Sequence, residues 1–206
     1  MEHFDRKQHW EKIYQTRQTE EASWFQPLPE TSLHFFEKHH LPPSAKIIDI
    51  GGGDSLLVDH LLDRGHRDIT VLDISAHALD KAKQRLGERA AHVKWLVADA
   101  ADFRPGEVYD CWHDRAAFHF LTQTNEVEKY LRTAAASIRP GGLLVLGTFS
   151  VNGPLKCSGL DIRQYSEEEM TEVFSGHFEK TGCLHVDHRT PSGGLQNFIF
   201  CGFRKC

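Results

Sequence analysis

Lys46-Ile47-Ile48-Asp49-Ile50-Gly51-Gly52-Gly53 is the stretch on which the fold turns. A short apolar run that stops at glycines reads as a buried strand entering a tight turn. Just beyond it, Leu57, Val58, Leu61 and Leu62 fall on one helical face. Asp54 stands where it would cap that helix, and Gly65 where it would end it. A strand, a glycine turn and a helix in that order open a βαβ unit.

The same alternation continues downstream. Residues 69–73 read as a second strand and 75–86 as a second helix. Residues 93–97 form a third strand that ends at Ala98-Asp99-Ala100, and 108–113 a fourth. Val127, Tyr130, Leu131, Ala134 and Ile138 make a helical stripe. Pro140-Gly141-Gly142 ends it before a fifth strand at 143–149. The connection 101–107 is too short for a good helix. Strands that alternate with helices predict a doubly wound, mostly parallel sheet covered on both faces.

The end of the chain departs from this rule. Ser166 and Glu169 have the spacing of a capping box. Residues 177–189 and 195–204 are strand-like and joined by Thr190-Pro191-Ser192-Gly193-Gly194, which predicts an antiparallel hairpin. At the other end, residues 4–16 and 31–39 have helical spacing, with Ser23-Trp24-Phe25-Gln26-Pro27 extended between them. The chain therefore reads as one domain, 1–206, with a helical preface (1–45) and a Rossmann-like α/β core (46–206).

Composition narrows the function. The chain has 206 residues, 40% hydrophobic and 26% charged, as expected of one globular domain. A formal net charge of -5 and scattered lysines and arginines argue against a bulk nucleic-acid binder. The charged start lacks the apolar core of a secretory signal, and no run is long enough to span a bilayer. Five cysteines with no C-x-x-C pair predict free thiols and a cytoplasmic setting. The 14 histidines include no H-x-x-x-H or H-E-x-x-H, so no metal is expected.

In a doubly wound sheet, ligands bind beyond the carboxyl ends of the strands. Those ends carry Gly51-Gly52-Gly53, Asp73, Asp99 and His113-Asp114. Glycines let the backbone approach a ligand closely. Asp73 lies about twenty residues beyond them, where a carboxylate reaches ribose hydroxyls. Asp99 can accept from an adenine amino group while Ala100 leaves its N–H open. The dinucleotide fingerprint wants a third glycine where Leu56 stands, and Asp49 would repel a pyrophosphate. Both disfavour an NAD(P)-dependent oxidoreductase, which is the competing enzyme class. Asp49 would instead suit a cationic sulfonium ligand with an ammonium group.

With these residues the chain resembles the class I (seven-β-strand) S-adenosylmethionine (SAM)-dependent methyltransferases over nearly its whole length. The matching pieces are 47–53, Val71-Leu72-Asp73-Ile74-Ser75, Ala98-Asp99-Ala100, Arg139-Pro140-Gly141-Gly142-Leu143 and the closing hairpin. The resemblance implies SAM as cofactor, with Asp49, Gly51 and Gly53 along its methionine end. It implies Asp73 at the ribose, Ile74 against the adenine, Asp99 and Ala100 at the adenine edge, and His113 near the sulfonium. His9-Trp10-Glu11-Lys12-Ile13-Tyr14 and Ser23-Trp24-Phe25-Gln26 look like the lid of a subgroup. That subgroup acts on protein lysines, small thiols and metalloids, so the acceptor is expected to be a small molecule or a protein. No asparagine-proline-proline motif follows the fourth strand.

Methyl transfer from SAM is an in-line displacement that needs alignment and a dry site, and a base only for a protonated nucleophile. His113, Asp114 and His119 are the candidates on the acceptor side. Asp114 would hold an amine or orient His113; equally, it would pair with Arg115 or cap the following helix. Trp24 and Phe25 would close over the cofactor, or simply staple the preface to the sheet. Cys157 is either a reactive thiol near the substrate entrance or a loop filler. Phe118, Phe120 and Leu121 read as core, and Tyr165 as a substrate contact or as packing. A non-catalytic SAM-binding protein is the remaining alternative.

Overall fold

A computed structural model describes residues 4–206. Nine strands and six α-helices run in the order α1 (Arg6–Thr16), α2 (Glu30–Lys38), β1 (Lys46–Ile50), α3 (Leu57–Asp63), β2 (Asp68–Asp73), α4 (Ala76–Leu86), β3 (Val93–Val97), β4 (Tyr109–Arg115), α5 (Thr124–Ser137), β5 (Ile138–Phe149), β6 (Lys156–Cys157), β7 (Leu160–Asp161), α6 (Glu167–Phe174), β8 (Phe178–Arg189) and β9 (Leu195–Lys205). Seven strands form one sheet, in the order β3-β2-β1-β4-β5-β9-β8. The first five are parallel, and β9 and β8 are antiparallel. β6 and β7 form a separate small hairpin.

The sheet is a partition between two cores. On one face, Ile47, Ile69, Val71 and Val145 pack against Phe36 of α2, Leu61 of α3 and Leu79 of α4. On the other, Ile48, Ile50, Leu72 and Leu146 pack against Tyr130 of α5 and Phe174 of α6. Alternate residues of β1 go to opposite faces, so a strand buried on both sides must be apolar throughout. Asp49 is the buried exception in β1, where its Oδ1 accepts from His113 Nδ1.

Several local expectations are met. Ser75 caps α4 by accepting from Ala78 N, and Ser166 and Glu169 complete a capping box on α6. Gly65 takes φ +90° just past α3. The connection 101–107 has no helix, and Ala101 and Phe103 cover that part of the sheet instead.

Others are corrected. Asp54 does not cap α3: its Oδ2 accepts from Thr19 Oγ1 at 2.6 Å, which ties the preface to the glycine loop. Helix α5 ends at Ser137, before Pro140-Gly141-Gly142, which lies inside β5 as an irregularity between Tyr109 and Cys111 of the β4 register. A bulge is where an otherwise regular strand tolerates proline. The cysteines are not all free. Cys183 and Cys201 are direct partners across β8 and β9 and form a disulfide, with their Cα atoms 4.1 Å apart. Spacing along the chain carried no sign of this pair, because only the hairpin register brings it together. Cys111, Cys157 and Cys206 are free. No helix among the described residues is long and apolar enough to cross a membrane.

Candidate functional site

The carboxyl ends of β1 to β4 open into one cleft, lined from all four strand ends. The sheet order lays out its residues by position. Asp99 and Ala100 follow β3, Asp73 ends β2, Asp49 and the glycines end β1, and His113 and Arg115 end β4. Neighbouring strands lie about 4.8 Å apart, so these groups form a row. Trp10, Tyr14 and Trp24 of the preface cover the row, with Trp10 edge-on to Phe120 at 5.1 Å. Trp10 and Tyr14 each stand within about 6 Å of Trp24.

Close backbone approach explains the glycines. Gly51 has φ +64°, and a Cβ there would lie 2.5 Å from Ala117 Cβ. Gly53 has φ +48°; a Cβ would meet the Tyr14 hydroxyl at 2.5 Å and Asp73 Oδ2 at 3.1 Å. Gly51 lines the cleft, whereas Gly53 supports it from beneath Tyr14.

Asp73 accepts from Ser75 N through Oδ1 at 2.8 Å, which leaves Oδ2 for a ligand. Burial pushes its carboxyl up to about 7, the Ser75 amide opposing and Asp54, Asp49 and Glu11 adding to the rise. The carboxyl is therefore expected to titrate near neutral pH. A ribose hydroxyl donates best to the ionised form. Affinity for an adenosine ligand should then rise with pH up to about 7 and level off above it. Below that, the loss approaches tenfold per unit, the limit for one coupled proton. Calorimetry at pH 5.5, 6.5 and 8 checks this, and Asp73→Asn should flatten the profile.

Asp99 is half-buried and held in place. Its Oδ1 accepts from Ala101 N at 2.8 Å, and Arg6 of α1 donates to both of its oxygens and, at 2.6 Å, to Glu126. Glu11 of α1 accepts from Ser75 Oγ, Ala76 N and His77 N, over the start of α4. The preface is thus docked on the ends of β2 and β3 through two charged side chains. Arg6 lines the cleft, and nothing in its sequence surroundings marks it.

His113 is buried and fully engaged. Nδ1 donates to Asp49 Oδ1 at 2.7 Å, and Nε2 lies 2.8 Å from Ser32 Oγ of α2. It lines the cleft as expected. Its orienting carboxylate, however, is Asp49 and not Asp114. Ser32 was not a candidate, because its hydroxyl meets β4 only through the packing of α2.

Asp114 is a correction. Successive strand residues face opposite sides, so it points away from the cleft. Its Oδ1 accepts from Ala117 N and Phe118 N, and its Oδ2 from the Tyr130 hydroxyl at 2.7 Å. Burial raises this carboxyl to about 6, against the pull of those bonds. It is a structural cap on the turn after β4.

His119 is a second correction. It is fully buried outside the cleft, 3.5 Å from Phe149 N, and burial lowers it to about 3. Phe25 lies outside the main cleft while Trp24 lines it. Phe120 lines the cleft, whereas Phe118 is core. Tyr165 is fully buried against Phe118. Cys157 lines the cleft, but burial pushes its thiol up to about 11, so it is no ready nucleophile. Among the described residues, no group of three or more His, Cys, Asp or Glu is placed to hold a metal ion.

A parallel sheet in this strand order, closed by an antiparallel hairpin and carrying carboxylates in a row over a glycine loop, defines a class I methyltransferase domain. Residues 47–142 match the methyltransferase domain family, and the chain has the class I SAM-dependent methyltransferase fold. It is 27% identical over 192 residues to the eEF1A lysine and N-terminal methyltransferase of Mus musculus, covering 92% of this chain and 26% of that protein. It is 30% identical to the malonyl-[acyl-carrier protein] O-methyltransferase of Anoxybacillus flavithermus, over 67% of this chain and 53% of that one. The chain thus spans about a quarter and about half the length of these relatives. The N-methyltransferase NodS of Bradyrhizobium japonicum, solved with S-adenosylhomocysteine (SAH), shares the fold: TM-score 0.71, 15% identity, 98% of this chain and 99% of that one.

Proposed function

We infer that the chain is an active methyltransferase that binds SAM across the ends of β1 to β3 and alkylates a small molecule or a protein. The carrying observation is the row of Asp49, Asp73 and Asp99 in one cleft, with Gly51 in the left-handed region between the first two. SAM would supply a methyl group on a sulfonium that is already a good leaving group. Asp73 Oδ2 is free for the ribose, Ala100 and Ile74 flank the adenine position, and Asp49 faces the ammonium end. Gly51 lets the chain approach there. His113 holds Asp49 in place, while Trp10, Tyr14 and Trp24 exclude water. The relatives act on proteins by name in one case and on an acyl-carrier-bound malonyl group in the other, so both acceptor kinds stay in this reading. A cytoplasmic setting belongs to it too, where the Cys183–Cys201 bridge would be open to reduction.

Calorimetry with SAM, SAH and NAD tests the reading. SAM and SAH should bind at micromolar levels, and NAD should not. Asp73→Ala should weaken SAM by about 1.5–3 kcal/mol, the worth of hydrogen bonds to a charged group. Absence of SAM and SAH binding would refute the assignment of the cleft.

A further inference from the structure

Arg115 is the one residue of the cleft whose charge has no stated use. It closes β4, on the side of β1 opposite to Asp73 and Asp99. Burial disfavours its charge, with Asp49 the foremost group supporting it. Yet no carboxylate oxygen comes within 4.0 Å of its nitrogens among the described residues. Its only hydrogen bonds there run from its two terminal nitrogens to one acceptor, the Trp24 carbonyl, each at 3.0 Å. A guanidinium has five N–H donors. Two are engaged, so three are left for something that enters the cleft. A half-buried cation that lines the cleft with spare donors and no partner carboxylate is a site suited to an anion.

The polarity of the cleft agrees. The ends of β1, β2 and β3 carry carboxylates, which suit a sulfonium, an ammonium and ribose hydroxyls. The end of β4 carries a guanidinium. Arg17 also adds positive field at Cys157, next to Arg115 on this side.

Among the described residues, none of the candidates on this side is free to take a proton. His113 has both ring nitrogens engaged, Asp114 and His119 face away, and the Cys157 thiol is buried and protonated. An acceptor that must be deprotonated in the site has no base here. An acceptor that arrives as an anion needs none.

We propose, resting on the methyltransferase reading above, that Arg115 binds the acceptor, and that the acceptor is a small carboxylic acid methylated on its carboxylate oxygen. One oxygen accepts from the guanidinium, and the other attacks. The new C–O bond forms as the methyl–sulfur bond breaks, and that electron pair stays on sulfur. The carboxylate's negative charge and the sulfonium's positive charge cancel, giving a neutral ester and a neutral thioether. No proton moves. Trp10, Trp24 and Phe120 offer an apolar wall for the body of the acid.

The test uses the whole chain loaded with SAH, titrated with phenylacetate and succinate, with phenethylamine and 2-phenylethanol as cationic and neutral counterparts. At least one acid should bind, and the amine should not. Arg115→Gln should weaken acid binding about 10–100-fold, the worth of a lost charge-assisted contact. Arg115→Lys, which keeps the charge, should recover part of the loss, and neither variant should weaken SAH by as much as about tenfold. With labelled SAM and the acid that binds, wild-type product should release its label as methanol in mild alkali, as an ester does. This arm needs no variant to fold. Binding of the amine or alcohol in preference, failure of both acids to bind, or an alkali-stable label overturns the proposal. So does a loss of SAH affinity in Arg115→Gln that equals the loss of acid affinity, since the guanidinium would then hold the cofactor's own carboxylate. Failure of SAH to bind wild type would instead sink the methyltransferase reading itself.

Discussion

Asp114→Ala should cost the protein about 3–5 kcal/mol of stability, the upper range for a single substitution in a buried polar network. Three donors converge on this carboxylate: Ala117 N, Phe118 N and the Tyr130 hydroxyl. Tyr130 in turn accepts from Trp112 Nε1 at 2.9 Å, so the network ties β4 to α5. Alanine would leave two amides and a hydroxyl unpaired in a dry core. Against a typical total of about 5–15 kcal/mol, that loss is large. Asp114→Asn should lose less, because its carbonyl oxygen still serves the two amides while the Tyr130 hydroxyl loses its acceptor. Urea unfolding, followed with SAH titration of the folded fraction, checks both. Unchanged stability with a selective loss of turnover would return Asp114 to the acceptor side.

The open choice at Asp114, acceptor side or structural cap, shows where sequence stops informing. Both His113 and Asp114 sit at the end of a strand, and the sequence places the strand correctly. Which of two successive residues faces the cleft depends on which face of the sheet the preface covers, and no local pattern states that. The cofactor side was legible for the opposite reason. Gly51, Asp73 and Asp99 each end a consecutive parallel strand, so strand order alone assembles them. Arg115 and Ser32 were not legible as site residues: one reads as a surface partner for Asp114, the other as an ordinary helix residue. Their roles come from α2 and the Trp24 carbonyl, which pack on β4 from more than eighty residues away. The Cys183–Cys201 pair failed in the same way, since the register of a hairpin is set by its turn and not by cysteine spacing.

Gly51→Ala should abolish measurable SAM binding at micromolar concentrations and lower stability by about 2 kcal/mol or more. Two separate penalties add. The residue holds φ +64°, where an L side chain costs about 1–2 kcal/mol. The new Cβ would also stand 2.5 Å from Ala117 Cβ, so the loop or the turn after β4 must move. Either movement displaces the backbone that meets the ligand. The double variant Gly51→Ala/Ala117→Gly removes the clash and keeps the φ strain. It should recover part of the stability and part of the affinity, and the cycle separates the two terms. If Gly51→Ala binds SAM as wild type does, close backbone approach is not why glycine stands there.

The connection between β3 and β4 has a consequence for energetics. Every other parallel crossover of the sheet is braced by a helix, whereas residues 101–107 run as a loop, with Phe103 against Trp112 of β4. β3 is also an edge strand, and only Val93 of its five residues is fully buried. Such a margin opens at lower free energy than the centre of a domain. Asp99 and Ala100 follow that strand and line the cleft, where the proposed function puts the adenine. A ligand seated there must offset the entropy of quieting the margin, and once seated it stiffens what folding leaves loose. The five-strand centre would then act as the fixed jaw of the cleft and the β3 margin as its yielding one, so that cofactor capture completes the domain's own order.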